Sequence, residues 1–285
     1  MPARRRPGRD SAAEEGWADQ DVRVGDHQVR VRVSDPVPGA TPIVHVHGFA
    51  ISGAYLMPTA ERLARRWVNV VPDLPGYGHS QRRSRVLDIP DLAVALVAVL
   101  DALDIDQAVL VGNSMGCPVS LEVAHSMPER VQRLVLVSPA GGVQNQPLVR
   151  ALGQLAIDGI RESPRMLPVA VPDYVRFGPI NGLRLFHELT LYPSLERLTH
   201  TPVPTLAVIG GRDPLMAKPS RVREVARLSP EHLSVALIER AAHALNFSHP
   251  EELAGTIELW LEDGLSEGTV PDGVRLVVPR GGDVG

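Results

Sequence analysis

Short apolar runs alternate with longer helical patterns along most of the chain. Patterns with helical spacing separate most of the later runs, at residues 54–66, 90–103, 118–127 and 251–262. The apolar runs are rich in Val, Ile and Leu, and they lie at residues 22–24, 28–33, 43–47, 68–71, 108–112, 133–137, 205–209 and 233–238. Strands that alternate with helices predict an α/β fold, with a mostly parallel eight-stranded sheet flanked by helices.

One long interval interrupts this alternation. About sixty residues, from Gly142 to Pro204, separate two of the predicted strands, where a single connecting helix would suffice. Because a structureless loop of that length is uncommon in a compact domain, we predict a helical cap over residues 142–201. Its helices are expected near 147–162, 164–177 (broken at Pro168 and Pro172) and 181–192. Some of its apolar side chains are expected to line a pocket; the candidates are Leu155, Ile160, Met166, Leu167, Val171, Phe177, Leu185, Phe186 and Leu189.

The two ends of the chain lack this pattern. Residues 1–20 are rich in Arg, Pro, Gly, Ala and Glu, with no apolar stretch behind Arg4-Arg5-Arg6. This composition predicts a disordered tail and not an export signal. Residues 264–285 are rich in Gly and Val and are assigned to a second tail, with a short added strand as the open alternative. The predicted core therefore comprises residues 21–141 and 202–263.

The strongest chemical signal is Gly112-Asn113-Ser114-Met115-Gly116, which lies between a predicted strand and a predicted helix. A serine with glycine two places to either side suits a tight turn that exposes the hydroxyl as a nucleophile. A plain glycine and serine turn is the alternative, which the flanking strand and helix disfavour.

A serine nucleophile needs a histidine base and an acid to orient that base. Asp213 and His243 each follow a predicted strand, at 205–209 and 233–238. The candidate catalytic residues are therefore Ser114, Asp213 and His243, in that chain order. His249 is the alternative base, but it immediately precedes Pro250 at the expected start of the last helix.

Two further segments complete the pattern, Val44-His45-Val46-His47-Gly48-Phe49 and Asp73-Leu74-Pro75-Gly76-Tyr77-Gly78-His79-Ser80. With all five matches in order, the chain resembles the α/β-hydrolase superfamily, in its capped branch with a serine nucleophile. The resemblance implies an oxyanion hole formed by the backbone N–H groups of Phe49 and Met115. It also implies substrate contacts at His47, Gly48 and Phe49, although a structural role for the His47 ring is the interpretation we favour.

This resemblance favours a hydrolase that cleaves an ester or thioester of a small-to-medium apolar substrate. The elbow around Ser114, together with Pro139-Ala140-Gly141-Gly142, also resembles carbon–carbon hydrolases that act on ring-fission diketones. Those relatives usually carry a glycine-rich run where this chain has Phe49-Ala50-Ile51-Ser52-Gly53. The third hypothesis is a hydrolase-like binding protein without turnover. A serine nucleophile argues against haloalkane dehalogenases and epoxide hydrolases, which attack with aspartate.

Composition narrows the partners and the compartment. Hydrophobic residues make up 44% and charged residues 22% of the chain, as is ordinary for a soluble globular enzyme. The net charge of -4 gives no electrostatic case for nucleic acid, and no apolar run suggests membrane insertion. The single cysteine, Cys117, suits a reducing cytoplasm. We expect a small-molecule substrate and no cofactor or metal, with a homodimer left open.

Overall fold

The computed structural model describes residues 16–81, 86–139, 153, 157, 161–192, 194–215 and 233–278. Most of the helix expected at 147–162 lies outside these residues, as do the predicted pocket residues Leu155 and Ile160.

The described strands form one sheet of nine members. They are β1 (Trp17–Val24), β2 (His27–Ser34), β3 (Ile43–Val46), β4 (Asn69–Pro72), β5 (Ala108–Asn113), β6 (Val131–Val137), β7 (Thr205–Gly210), β8 (Leu233–Ile238) and β9 (Val274–Val278). Their order across the sheet is β1-β2-β4-β3-β5-β6-β7-β8-β9. Neighbouring strands from β4 to β8 run parallel, whereas β2 is antiparallel to β4 and β9 is antiparallel to β8. The predicted α/β-hydrolase fold is confirmed, with one strand more than expected.

Strand residues that were not predicted lie at the two edges of the sheet. They are residues 17–20 of β1 and all of β9, within segments predicted to be tails. Strand β1 begins at Trp17, and its first five side chains are exposed or half-buried. Its last residues were predicted as the run at 22–24, whereas the exposed start of an edge strand leaves no apolar pattern in the sequence. At the other edge, β9 buries Val274 and Leu276, whereas Arg275 is exposed and Val277 half-buried. Its register pairs Val274 with Ile238 and Leu276 with Ala236, so the alternative of a short added strand is the correct one.

Helices cover both faces of the sheet. They are α1 (Met57–Leu63), α2 (Ile89–Ala102), α3 (Gly116–Ser126), α4 (Leu167–Phe177), α5 (Pro179–Leu191), α6 (Ser194–Thr199), α7 (Leu245–Ser248) and α8 (Pro250–Leu261). On one face, α2 and α3 pack Leu96 and Leu121 against Leu110 of β5. On the opposite face, α1 and α8 pack with Val111. Alternate residues of β5 thus enter two cores, as expected for a strand buried on both sides.

Among the described residues, α4, α5 and α6 lie between β6 and β7, where the long interval was noted. Residues 161–192 and 194–199 are called the insert below. Helix α4 continues through Pro172, and Pro168 lies in its first turn, so the predicted breaks were wrong. A proline in the first turn removes no intrahelical hydrogen bond. Because α4 turns Ala170, Asp173 and Phe177 inward, Leu167 and Val171 lie outside, 57% and 51% exposed.

The remaining predicted pocket residues of the insert are less exposed. Phe177, Leu185 and Leu189 are buried, whereas Met166 and Phe186 are half-buried. Within the described residues, no helix is long and apolar enough to cross a membrane.

Candidate active site

Ser114 lies on the tight turn between β5 and α3, with a left-handed backbone (φ +53°). The flanking glycines make this turn possible. A Cβ atom on Gly112 would collide with the carbonyl oxygen of Gly116, and a Cβ atom on Gly116 would collide with that of Val46. No larger residue fits at either position, which is the physical basis of the motif read from the sequence.

The three predicted catalytic side chains meet above the carboxyl ends of the strands. The Nε2 atom of His243 lies 2.8 Å from Oγ of Ser114, and its Nδ1 atom lies 2.7 Å from Oδ2 of Asp213. The other carboxylate oxygen of Asp213 accepts a hydrogen bond from the N–H of Leu215 at 2.8 Å. When the Nδ1–H group of His243 donates to Asp213, Nε2 is unprotonated and can accept a hydrogen bond from the hydroxyl of Ser114.

Electrostatics favour an ionised Asp213. Its side chain is fully buried, which by itself opposes ionisation. The neighbouring His243, through its charge and its hydrogen bond, and the N–H of Leu215 outweigh burial and lower the pKa of Asp213 below its ordinary value. An aspartate that stays charged can orient the imidazole and stabilise its protonated form.

Backbone contacts bring the acid and the base together. After β7, Gly211 and Arg212 donate hydrogen bonds at 2.9 Å to the carbonyl oxygens of Ile238 and Ala241, on the loop after β8. A Cβ atom on Gly210 would collide with the carbonyl oxygen of Ala242. The two loops therefore pack backbone against backbone, and the contacts at Ala241 and Ala242 lie within two residues of His243.

The alternative base, His249, lies elsewhere. It is the residue before α8, and its Nδ1 atom lies 2.9 Å from Oγ of the neighbouring Ser248. Among the described residues, His243 is the histidine that contacts Ser114. The described part of the chain holds no cluster of three or more His, Cys, Asp and Glu side chains arranged to hold a metal ion.

The two predicted oxyanion-hole donors flank the serine. Met115 is the residue after Ser114 and directly precedes α3, while Phe49 follows Gly48 on the loop after β3. A Cβ atom built on Gly48 would lie 3.3 Å from Cβ of Ser114, so this loop borders the serine. Within the described residues, the N–H groups of Phe49 and Met115 have no hydrogen-bond acceptor. Two free donors beside a serine hydroxyl can receive a developing oxyanion.

His47 fixes the loop and is closed to substrate. Its ring is fully buried, Nδ1 lies 2.9 Å from the carbonyl oxygen of Gly48, and Nε2 accepts a hydrogen bond from the N–H of Leu74 at 2.9 Å. Burial lowers the pKa of His47, which matches this neutral tautomer. The arrangement supports the structural role of His47, and it replaces the expectation that this side chain contacts substrate.

Tyr55 is a site residue that sequence reasoning missed. Its hydroxyl donates to Oδ1 of Asn113 at 2.5 Å and accepts from the N–H of Gly48 at 2.8 Å. The amide of Asn113 in turn donates to the carbonyl oxygen of Val137 at 3.1 Å. Tyr55 therefore joins the loop before Phe49 to the residue before Ser114. No motif marks it, because the contact spans 58 residues of sequence.

The turn after β4 is held by a buried carboxylate. Asp73 accepts hydrogen bonds from the N–H of Gly53 at 2.8 Å, the guanidinium of Arg32 at 3.0 Å and the N–H of His79 at 2.9 Å. Although burial opposes ionisation, His79 and Arg32 lower the pKa of Asp73 below its ordinary value. The Asp-x-Pro-Gly motif thus anchors the loop that carries Phe49 and takes no part in the chain of hydrogen bonds at Ser114.

Aromatic side chains from the insert cover this loop. The Phe49 ring lies 5.9 Å from that of Phe177 on α4 and 5.7 Å from that of Phe186 on α5. Phe177 also stacks on Tyr77 with ring centres 4.9 Å apart. The side chain of Phe49, whose N–H is a candidate oxyanion donor, is therefore packed against aromatic rings of the insert.

Comparison with known proteins places this geometry in context. Residues 43–256 match the model of the alpha/beta hydrolase family. Over 183 residues the chain is 29% identical to an uncharacterized protein of Mycobacterium tuberculosis, which covers 62% of this chain and 53% of that protein. Over 120 residues it is 38% identical to 2-hydroxymuconate semialdehyde hydrolase of Pseudomonas sp. strain CF600, covering 40% of this chain and 41% of the relative. The chain thus spans about half the length of these relatives.

The fold also matches solved structures. A thermophilic esterase from Thermogutta terrifontis superposes with a TM-score of 0.71 at 21% identity, covering 87% of this chain and all of that one. At this level of identity the likeness shows a shared fold.

Proposed function

Because the chain belongs to the alpha/beta hydrolase family, we propose that it is a serine hydrolase that cleaves an ester or thioester through an acyl-enzyme. The observation that carries this proposal is the unbroken chain of hydrogen bonds from Ser114 through His243 to Asp213, at 2.8 and 2.7 Å. A nucleophile, a base and an orienting acid within hydrogen-bond reach of one another are what acyl transfer by serine requires.

Acylation begins at the serine hydroxyl. Oγ of Ser114 attacks the carbonyl carbon of the substrate while its proton passes to Nε2 of His243. The carbonyl oxygen becomes an oxyanion, which the N–H groups of Phe49 and Met115 stabilise by about 3 kcal/mol each. The tetrahedral intermediate collapses when the bond to the leaving oxygen or sulfur breaks, and the leaving group takes the proton from Nε2.

Deacylation reverses these roles with water as the nucleophile. His243 removes a proton from the water as its oxygen attacks the acyl carbon, and the same two donors hold the second oxyanion. The bond to Oγ of Ser114 then breaks and the serine recovers its proton from Nε2. Asp213 remains ionised throughout and stabilises the imidazolium in both steps.

Apolar rings favour an apolar acyl or alcohol group. The ring of Phe49, whose N–H is a candidate oxyanion donor, packs against the rings of Phe177 and Phe186. A small-to-medium apolar substrate would bury its surface against these rings, and no cofactor enters the proposed steps.

A second candidate is hydrolysis of a carbon–carbon bond in a diketone. The 38% identity to 2-hydroxymuconate semialdehyde hydrolase over 120 residues favours it. The same serine, base and oxyanion donors would serve that reaction. Comparing kcat/KM for aryl esters with kcat/KM for a vinylogous 1,5-diketone separates the two, and a large preference for the diketone would replace the ester assignment.

The test of the proposal is reaction with a fluorophosphonate probe. An activated serine beside two free N–H donors should be labelled stoichiometrically, and mass spectrometry of the peptides should locate the adduct at Ser114. Labelling should vanish in Ser114→Ala and slow greatly in His243→Ala, while His249→Ala should react like the wild type. Folded protein that takes no label would favour the third hypothesis, a binding protein without turnover.

A further inference from the structure

The insert contacts the loops of the candidate site through charged side chains. Glu162 accepts a hydrogen bond from the N–H of Ala244 at 2.7 Å, and Arg161 donates one to the carbonyl oxygen of Arg212 at 2.8 Å. Ala244 directly follows His243, and Arg212 directly precedes Asp213. Two adjacent residues of the insert thus hold the loops of both the base and the acid.

We propose that Glu162 is a positioning residue that keeps His243 in hydrogen-bonding reach of Ser114, with Arg161 bracing the Asp213 loop from the same side. This inference rests on the proposed serine hydrolase function. Glu162 touches neither Ser114 nor the imidazole in the described contacts, so its action passes through the backbone of Ala244.

The charges of the pair match the groups that they contact. The anionic Glu162 meets an N–H, and the cationic Arg161 meets a carbonyl oxygen. Hydrogen bonds with one charged partner are roughly twice as strong as neutral ones. The hydrogen bond of Glu162 is expected to be the stronger of the two, because it is partly buried, whereas that of Arg161 is exposed to solvent.

Partial burial of Glu162 makes its contact with Ala244 valuable. Its Oε2 atom is buried and has no hydrogen-bond partner among the described residues. The hydrogen bond from Ala244 to Oε1 is therefore what offsets the desolvation of the carboxylate. An unpaired buried charge is costly, which favours the arrangement in which the N–H of Ala244 is engaged. The base loop is thereby held by the insert as well as by its own backbone contacts with the acid loop.

The helix that follows Glu162 in the insert, α4, reaches the third loop of the site. Arg161 and Glu162 come shortly before α4, whose Asp173 accepts a hydrogen bond from the N–H of Ser52 at 2.8 Å. Ser52 lies three residues after Phe49. The position of His243 and that of the Phe49 N–H are therefore both expected to depend on how residues 161–177 of the insert pack against the core.

Two substitutions at Glu162 test the proposal. Glu162→Ala removes the acceptor and should lower kcat by about tenfold to hundredfold with little change in KM, as expected for a misplaced catalytic group. Glu162→Gln keeps an acceptor oxygen for Ala244 and should recover most of kcat. Glu188→Gln, at an exposed glutamate on α5, is the matched control and should behave like the wild type.

A second readout follows the base itself. The His243 Nδ1–H proton shared with Asp213 should give a downfield proton NMR signal, which should weaken or move in Glu162→Ala and persist in Glu162→Gln and Glu188→Gln. Fluorophosphonate labelling of Ser114 should slow in parallel with kcat. Should Glu162→Ala fail to fold, Glu162→Asp provides the same test, because its shorter side chain withdraws the acceptor from the N–H of Ala244 and should lower kcat and weaken the NMR signal where Glu162→Gln does not. Wild-type kcat and signal in Glu162→Asp would contradict the positioning role.

The outcomes separate this proposal from the proposed function. Unchanged kcat, labelling rate and NMR signal in Glu162→Ala would overturn the positioning role while the serine hydrolase assignment stands. Absence of labelling in the wild type, together with an NMR signal that is lost in Glu162→Ala, would overturn the hydrolase assignment and leave the positioning role intact.

Discussion

At the scale of single residues, the candidate site depends on backbone conformations that few residues can adopt. Ser114 has a positive φ, which costs a non-glycine residue about 1–3 kcal/mol and is held only where the surroundings dictate it. Here Gly112 and Gly116 allow the close approach of neighbouring carbonyls. The sequence motif is therefore a steric requirement, which explains why it could be found without a structure.

The acid of the triad gives the sharpest prediction at this scale. Asp213→Asn should lower kcat by about 10⁴, because the amide favours the histidine tautomer with Nδ1 unprotonated, which cannot accept the serine proton. Since the three residues act as a unit, the double variant Ser114→Ala/His243→Ala should be hardly less active than either single variant. Steady-state kinetics with an activated ester measures both effects. Additive losses in the double variant would contradict a joint role.

The sequence predicted Ser114, Asp213 and His243 because each follows a recognisable strand. It could not predict Tyr55 or Glu162, whose contacts join residues 58 and 82 positions apart. Both side chains act by hydrogen bonds that exist only after the sheet and the insert have packed together. The contact between substrate and the His47 side chain was expected for a related reason. Only the fold shows that both ring nitrogens form hydrogen bonds within the protein, with Gly48 and Leu74.

At the scale of elements, β3 carries a histidine inside the core. His45 is fully buried, and its Nε2 atom lies 2.7 Å from Oδ1 of Asn69. Burial lowers the pKa of His45 to about 4, although the hydrogen bond with Asn69 opposes this effect. The unfolded chain, with the ordinary histidine pKa of 6.5, therefore binds a proton before the folded chain as the pH falls.

This difference predicts a specific loss of stability in mild acid. The stability that neutral His45 contributes is intact above pH 6.5 and is lost as the pH falls towards 4. The loss amounts to about 2 kcal/mol of unfolding free energy at pH 5. His45→Gln should make the decline in unfolding free energy between pH 7 and pH 5 shallower by that amount, as measured by urea titration at each pH. The control is His187→Gln at an exposed position of α5. Equal flattening in both variants would contradict the assignment to His45.

Elements were predictable where their apolar pattern was complete. The six parallel strands, buried on both faces, appear as Val- and Ile-rich runs, and each was expected near its observed position. Edge strand β9 and the first four residues of edge strand β1 were assigned to tails, since a half-exposed strand has too few apolar residues to be distinctive. The buried face of α4 includes the polar residue Asp173, so apolar residues alone do not identify that face. The prediction that Leu167 and Val171 face inward was therefore wrong.

At the scale of the whole molecule, the insert and the core together determine the expected substrate preference. Medium-chain aryl esters should have higher kcat/KM than acetates, by up to about 0.8 kcal/mol per buried methylene. Phe186→Ala, which removes a ring 5.7 Å from Phe49, should flatten this dependence. Leu183→Ala, at an exposed position of the same helix, is the control. Equal kcat/KM from acetate to octanoate in the wild type would exclude an apolar site under the insert.

Three hydrogen bonds from the insert to the site loops end on main-chain atoms, at Ala244, Arg212 and Ser52. Every amino acid except proline offers the same N–H, and every amino acid offers the same carbonyl. These three hydrogen bonds therefore do not depend on the side chains of Ala244, Arg212 and Ser52, whereas they do depend on those of Arg161, Glu162 and Asp173. A chimera that borrows its insert from another hydrolase would need equivalent charged groups at these positions, whatever the identity of the loops that receive them.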